Sequence, residues 1–163
     1  MLTSSITAMG QAKTYSVSKD SANGSQVFNG VLTLGDLNGE LTFDWMKKGF
    51  SEYKPNDKIT PLLKDNLSKY NLIVFLGTWC DDSHYWVPKL AKLLAEINYP
   101  ENQLSMYGVD RAKTTKGHEN VQYGITFVPT IIVLKDGIEA GRITESPHNG
   151  LEADLLEIIS SKK

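Results

Sequence analysis

The hydrophobic pattern is most regular in the second half of the chain, where neighbouring segments differ in their period. Residues 71–77, NLIVFLG, form a continuous apolar run of strand length, which is typical of a strand buried on both faces. Residues 81–98 have one helical stripe of apolar side chains, formed by Trp86, Leu90, Leu93, Leu94 and Ile97. Residues 103–110, QLSMYGVD, predict a second strand. This order predicts a right-handed crossover between two parallel strands.

Further elements follow this crossover. Residues 118–124, HENVQYG, predict a short helix. Residues 129–145 predict a β-hairpin, because Asp136 and Gly137 supply the positive φ angles that a two-residue turn needs. Residues 150–163, GLEADLLEIISSKK, predict a terminal amphipathic helix. The order of strands and helices predicts an α/β fold with a mixed central sheet and helices on both faces.

The first third of the chain has a weaker pattern. Residues 1–26 are rich in Ser, Thr, Gly and Asn, and they predict a flexible leader with at most one strand. Residues 27–56 have some apolar side chains at helical spacing, among them Leu41 and Met46. We therefore expect one domain over residues 27–163, in which residues 27–56 are an added N-terminal element.

Composition and charge argue against several classes of partner. The 163 residues carry a formal net charge of -2, and 40% are hydrophobic and 22% charged, which is typical of a globular protein. This balance predicts no basic surface for nucleic acid or for anionic membranes, so we expect neither as a partner. No apolar run approaches the ~20 residues of a membrane-spanning helix. No pattern in the sequence predicts an oligomeric state.

The first residues are compatible with two cellular locations. The segment MLTSSITAMGQAKTYSV begins with small and apolar residues, but it lacks the basic start and the length of a complete signal peptide. If residues 1–12 are the remnant of a signal peptide, they predict export to the periplasm or the extracellular space, with cleavage near Ala12. If they are an ordinary leader, they predict a cytoplasmic protein.

Cys80 is the single cysteine, so no disulfide can form within the chain. It precedes a predicted helix, whose N-terminal dipole and unpaired N–H groups stabilise a thiolate. The hydroxyl of Ser83 can donate a hydrogen bond to the sulfur, whereas the charges of Asp81 and Asp82 disfavour a thiolate. A protonated His84 would offset these negative charges. We therefore expect Asp81, Asp82 and His84 to modulate the reactivity of the thiol.

A metal site is a second hypothesis for the same segment. Cys80 and His84 have the spacing of one helix face, and Asp81 lies nearby in the sequence. A second soft ligand is missing, however, and the other histidines, His118 and His148, lie in predicted loops. We therefore expect His84 to be a solvated or capping residue, and we predict no metal and no other cofactor.

Two separated motifs resemble the thioredoxin superfamily. The first is a strand followed by TWCDDS, residues 78–83, and a helix with Pro88 five residues beyond Ser83. Thioredoxin-like proteins have Trp-Cys-x-x-Cys and a proline at the same offset, and this chain is most similar to a variant group with Trp-Cys-x-Asp-Ser. The second motif, residues 123–142, resembles the segment that holds the cis-proline of the family. The resemblance covers residues 57–160 and implies a thioredoxin-like three-layer fold with an N-terminal extension.

The resemblance implies a role for each residue of the site. Cys80 would be the nucleophile of thiol–disulfide exchange, with Ser83 as its hydrogen-bond partner. Trp79 would be a lid over the thiol and part of the binding rim. Pro129 would be the cis-proline opposite Cys80, and the backbone of Val128 would pair with an extended substrate.

Two departures from the family pattern bear on turnover. Ser83 replaces the resolving cysteine, and Val74 replaces a buried acid that assists proton transfer. Because a hydroxyl does not attack a mixed disulfide, an external thiol has to release the partner. The sequence therefore predicts a monothiol protein of the thiol–disulfide exchange class, whose partners are protein or small-molecule thiols and disulfides. The alternative is a non-enzymatic peptide- or protein-binding module that has lost redox turnover.

Overall fold

Six strands form one mixed sheet in the computed structural model, which describes residues 13–161. The strands are β1 (Tyr15–Lys19), β2 (Gln26–Leu32), β3 (Asn71–Leu76), β4 (Leu104–Gly108), β5 (Thr130–Lys135) and β6 (Ile138–Thr144). Their spatial order is β1-β2-β4-β3-β5-β6. Strands β3 and β4 are parallel, and the other neighbouring pairs are antiparallel. The predicted mixed α/β sheet is confirmed.

Helices connect and cover these strands. They are α1 (Leu34–Gly39), α2 (Asp44–Glu52), α3 (Thr60–Asn66), α4 (Asp81–Glu96), α5 (Glu119–Gln122) and α6 (Leu151–Ser160). Helix α4 makes the predicted crossover between β3 and β4, and the β5–β6 hairpin turns at Asp136 and Gly137, both with positive φ. No helix within residues 13–161 combines the length and the apolar character needed to cross a bilayer.

The two faces of the sheet carry cores of different size. Strand β3 contributes to both, because alternate side chains of a strand point to opposite faces. Val74 lies in the larger core, together with apolar side chains of α1, α2, α3, α4 and α6. Phe75 lies in the smaller core with Trp79, Val109 and Val128. The face with the smaller core is therefore covered mainly by loops, and Trp79, Cys80 and Val128 lie on this face.

Helix α2 packs along α4 and joins the N-terminal element to the rest of the domain. A side chain at Gly49 of α2 would meet the ring of Pro88 in α4, with 2.5 Å between the added Cβ and Pro88 Cγ. The missing side chain at Gly49 therefore allows the two helices to approach at this point.

The first third of the chain contributes two strands to the sheet. Strand β1 lies within residues 1–26, for which the sequence predicts at most one strand, and it pairs with β2. The ring of Tyr15 stacks on Phe28 with 4.6 Å between the ring centroids, so this edge of the sheet is anchored in the larger core. The proposed signal-peptide remnant, residues 1–12, lies outside the described residues.

The structure differs from the prediction in the helices of the added element. Thr33 begins α1 with a capping box, in which its hydroxyl accepts from Asp36 N and the Asp36 carboxylate accepts from Thr33 N. Leu41 lies between α1 and α2 and is 82% exposed, whereas Phe43 and Met46 are buried. The apolar stripe of this segment therefore starts two residues later than the spacing from Leu41 predicts.

Candidate active site around Cys80

Cys80 lies at the junction between β3 and α4. It is the N-cap residue of α4, with extended backbone angles, and its thiol is half-buried. Cys80 N donates to Gly77 O over 2.9 Å, which closes the tight turn that leads from the strand into the helix. Because Cys80 is the N-cap residue, its side chain lies at the N-terminal end of α4, where the helix dipole stabilises negative charge.

The thiol is in contact with the second motif. Cys80 Sγ donates to Val128 O over 3.4 Å, although the two residues are separated by 48 positions. The Val128–Pro129 peptide bond is cis, and both residues are buried. The structure thus brings Cys80, Val128 and Pro129 together. Because a thiolate has no hydrogen to donate, ionisation of Cys80 breaks this hydrogen bond.

Ser83 has a partner other than the predicted one. Its side chain is fully buried, and its Oγ accepts from Gly77 N over 3.1 Å. Among the described residues, no hydrogen bond joins the side chains of Ser83 and Cys80. The buried N–H of Gly77 needs an acceptor, and Ser83 supplies it. Ser83 therefore supports the turn before Cys80.

Trp79 is buried and does not form an exposed lid. It is 8% exposed, and its Nε1 donates to Val109 O over 2.9 Å. The indole ring folds back over Gly77, where an added Cβ would lie 2.7 Å from the ring. A buried indole N–H needs an acceptor, and the Val109 carbonyl on the loop after β4 provides it. Trp79 is thus part of the smaller core beneath the thiol.

His84 contacts the turn from the side of α2. Its Nε2 lies 2.8 Å from Thr78 O, so this nitrogen carries a hydrogen, because a carbonyl oxygen can only accept. The other ring nitrogen, Nδ1, lies 4.0 Å from an oxygen of Asp81, and the ring stacks on Trp45 with 4.5 Å between centroids. Asp81 and Asp82 are exposed in the first turn of α4. His84 therefore connects the Cys80 turn to the added N-terminal element.

Strand β2 and the β1–β2 turn also support the Cys80 turn directly, a role that the sequence did not disclose. Thr78 Oγ1 donates to Gln26 O over 2.6 Å and accepts from Phe28 N over 3.0 Å. Asn23 Nδ2 donates to Trp79 O over 3.4 Å. The only local signal is the run DSANGS, residues 20–25, whose Asp and Asn residues favour a turn.

A buried ion pair links the same β1–β2 turn to the loop after β4. Asp20 is 6% exposed, and it accepts from Arg111 Nε over 2.5 Å and from Arg111 Nη2 over 3.0 Å. The hydrogen bond from Arg111 lowers the pKa of Asp20, and the same bond raises the pKa of Arg111. Within residues 13–161, no group of three or more His, Cys, Asp or Glu side chains is arranged to hold a metal ion.

Comparison with known proteins places this geometry in a family. The family model described as Thioredoxin matches residues 60–157, which is more than half of the chain. The chain belongs to the thioredoxin family. The fold of this family supports a role of the thiol–disulfide oxidoreductase type in general. No curated protein matches the sequence.

Several solved structures are similar to this thioredoxin-family chain. A protein of unknown function from Pseudomonas aeruginosa is 19% identical, with a TM-score of 0.52, and the match covers 77% of this chain and 87% of that one. This likeness shows a common fold. A thioredoxin from Fasciola hepatica is 25% identical over 61% of this chain and 86% of that one, with a TM-score of 0.40. Mitochondrial thioredoxin 3 from Saccharomyces cerevisiae is 20% identical over 68% and 96% of the two chains, with a TM-score of 0.40.

Proposed function

We propose that this chain is a monothiol thioredoxin-like protein that forms mixed disulfides through Cys80, which an external thiol then resolves. The observation that carries the proposal is the contact between Cys80 Sγ and Val128 O. It joins the half-buried thiol at the start of α4 to the backbone beside Pro129, the segment with which an extended partner would pair in the proposed complex.

The proposed reaction has two exchange steps. The Cys80 thiolate attacks one sulfur of a partner disulfide, so a new S–S bond forms while the old one breaks, and the leaving thiolate takes up a proton. An external thiolate then attacks the mixed disulfide and forms a disulfide with the partner's sulfur, which returns Cys80 as a thiol. Each step replaces one S–S bond by another, so no separate oxidant or reductant is needed.

The environment of Ser83 supports resolution by an external thiol. The Ser83 hydroxyl is buried and bound to Gly77 N, and a hydroxyl does not attack a disulfide under these conditions. Val74, which is fully buried and apolar, offers no proton acceptor on β3. Both residues favour capture at Cys80 over self-contained turnover.

The same two residues support a second candidate function, a peptide- or protein-binding module without redox turnover. In that case a partner would pair with the backbone around Val128 without a covalent bond to Cys80. Phe127, which is 49% exposed next to Val128, would add an apolar contact for the partner.

Mass spectrometry of the intact protein tests the proposed function. The reduced chain is mixed with glutathione disulfide or with a peptide that contains a disulfide, and the adduct is measured over time. We expect a mixed disulfide with the wild-type chain, none with Cys80→Ser, and release of the partner when reduced glutathione is added. Ser83→Ala should retain capture, because Ser83 does not take part in the exchange.

Two outcomes separate the candidates. An adduct that forms with wild type and with Ser83→Ala, and that reduced glutathione removes, supports thiol–disulfide exchange. Partner binding that is equal in wild type and Cys80→Ser, measured by calorimetry without any adduct, contradicts it and supports the binding module.

A further inference from the structure

The β1–β2 turn holds an arginine beside the Cys80 junction. Asp20 Oδ1 accepts from Ala22 N over 2.9 Å and from Asn23 N over 3.0 Å, which fixes its carboxylate in the turn. The same carboxylate receives two hydrogen bonds from the guanidinium of Arg111. A two-point hydrogen bond of this kind fixes the orientation of the arginine side chain as well as its distance.

Two cations lie over the ring of the residue that precedes Cys80. Arg111 Cζ is 4.8 Å and Lys113 Nζ is 5.8 Å from the ring centroid of Trp79. The Arg111 side chain is 47% exposed although Asp20 is buried, so a partner can approach the guanidinium. Cation–π attraction to Trp79 stabilises both side chains in this position.

Arg111 also lies within electrostatic range of the Cys80 junction. The pKa of Arg111 is raised mainly by its hydrogen bond to Asp20, with smaller contributions from the charge of Asp20 and from Cys80 and Asp81. Asp81 lies beside His84, and Asp82 is exposed in the same helical turn. Arg111, paired with Asp20, and Lys113 therefore lie on the Trp79 side of the junction, and the carboxylates of Asp81 and Asp82 lie at the start of α4.

We propose that Arg111 and Lys113 determine partner specificity at Cys80, by favouring thiols and disulfides that carry a carboxylate near the sulfur. This inference rests on the proposed function, because it names the class of partner for the same thiol. Of the two residues, Arg111 is the stronger determinant, since Asp20 fixes its position. Lys113 adds a second positive charge over the ring of Trp79.

Alkylation with two reagents of similar size measures this charge selection without any disulfide. Iodoacetate carries a carboxylate and iodoacetamide does not, and each transfers its carbon to the Cys80 thiolate while iodide leaves. The ratio of the two second-order rate constants cancels differences in the ionisation or exposure of the thiol, so it reports the local potential. Measurement at low and high salt checks that the effect is electrostatic.

Substitutions with opposite expected signs make the test specific. Arg111→Gln should lower the ratio of iodoacetate to iodoacetamide by about two- to threefold, and Lys113→Gln by less. Arg111→Lys should recover part of the ratio, because it retains the charge. Asp81→Asn should raise the ratio, since it removes an exposed negative charge from the first turn of α4.

Lys69→Gln is the matched control. Lys69 lies before the first residue of β3, and Cys80 lies beyond the last residue, so about 20 Å of strand separate the two positions. At that separation the charge is screened, and the ratio should not change. An unchanged ratio in Arg111→Gln, or a change equal to that of Lys69→Gln, overturns the inference.

The result also distinguishes this inference from the proposed function. A ratio that responds to Arg111 while no disulfide forms an adduct contradicts the proposed function but supports charge selection at Cys80. Adducts that form equally fast with anionic and uncharged disulfides in wild type and in Arg111→Gln contradict the inference and leave the proposed function supported.

Discussion

The N-terminal element and the segment that matches the thioredoxin model contribute to the same core. Phe28, Leu37 and Met46 lie before residue 60, where the match begins, and they are as deeply buried as Leu93 within it. All four side chains belong to one apolar cluster. The limits of the family match therefore do not mark the limits of the hydrophobic core.

The two regions differ in what they supply to the candidate site. The matched segment supplies the thiol of Cys80 and the backbone of Val128. The N-terminal element supplies hydrogen bonds to the turn before the thiol, through Gln26 and Phe28, and an ion pair through Asp20. One region thus carries the thiol of the candidate site, and the other holds the backbone turn before it.

The largest expected effect tests whether the two regions unfold together. Met46→Ala and Leu93→Ala each remove a fully buried side chain from the shared cluster, so each should lower the free energy of unfolding by about 2–5 kcal/mol. Urea denaturation of residues 1–163, followed by circular dichroism and by tryptophan fluorescence, should give one transition for each variant. Leu41→Ala, at an exposed position, should change the free energy by only about 0.5 kcal/mol. Two separate transitions, or a negligible effect of Met46→Ala, would show that the N-terminal element unfolds independently.

An intermediate effect is expected at the hydroxyl that connects the regions. Thr78 is 1% exposed, and Thr78→Val leaves Gln26 O and Phe28 N without their side-chain partner. Because both backbone groups then lose a hydrogen bond, the free energy of unfolding should fall by about 1–3 kcal/mol. Thr78→Ser retains the hydroxyl and should cost about 1 kcal/mol or less, through the lost methyl group. Equal stability of Thr78→Val and wild type would contradict the bridging role of this side chain.

The smallest effect is a pH dependence that comes from Asp20. Its pKa is lowered in the folded chain by Arg111, so its contribution to stability is complete above its ordinary value of about 3.9 and is lost as the pH falls through the folded value. The difference in free energy of unfolding between wild type and Asp20→Asn should therefore be largest near neutral pH and should shrink in the acid range. Urea denaturation at several pH values measures it. A constant difference across the acid range would exclude an energetic role for the ion pair.

Most strands and helices of the matched segment could be predicted from the sequence, because the patterns that indicate them lie within short stretches of the chain. The apolar run of β3, the helical stripe of α4 and the Asp136-Gly137 turn each depend on residues close together in the chain. The two motifs also led to Cys80, Val128 and Pro129, which the structure brings together.

The remaining features could not be predicted, because they depend on contacts between distant residues. Strand β1 is short, and its place at the edge of the sheet depends on pairing with β2 and on contact of Tyr15 with Phe28. Trp79 is buried because Gly77 leaves room for its ring and the distant Val109 carbonyl accepts its N–H. Ser83 Oγ accepts a hydrogen bond from Gly77 N, and this partner depends on how the chain turns from β3 into α4.

Strand β2 covers one edge of β4, and this should keep the protein from aggregating. It pairs with the outer side of β4 from Gly30 to Leu32, and without it that side of β4 would present unpaired N–H and C=O groups. A chain shortened to the start of the family match would expose this edge, together with the apolar surface of Met106 that now packs in the larger core. Open, apolar strand edges pair readily with other chains, so the shortened form would tend to aggregate. The N-terminal strands thus protect the sheet from unwanted self-association.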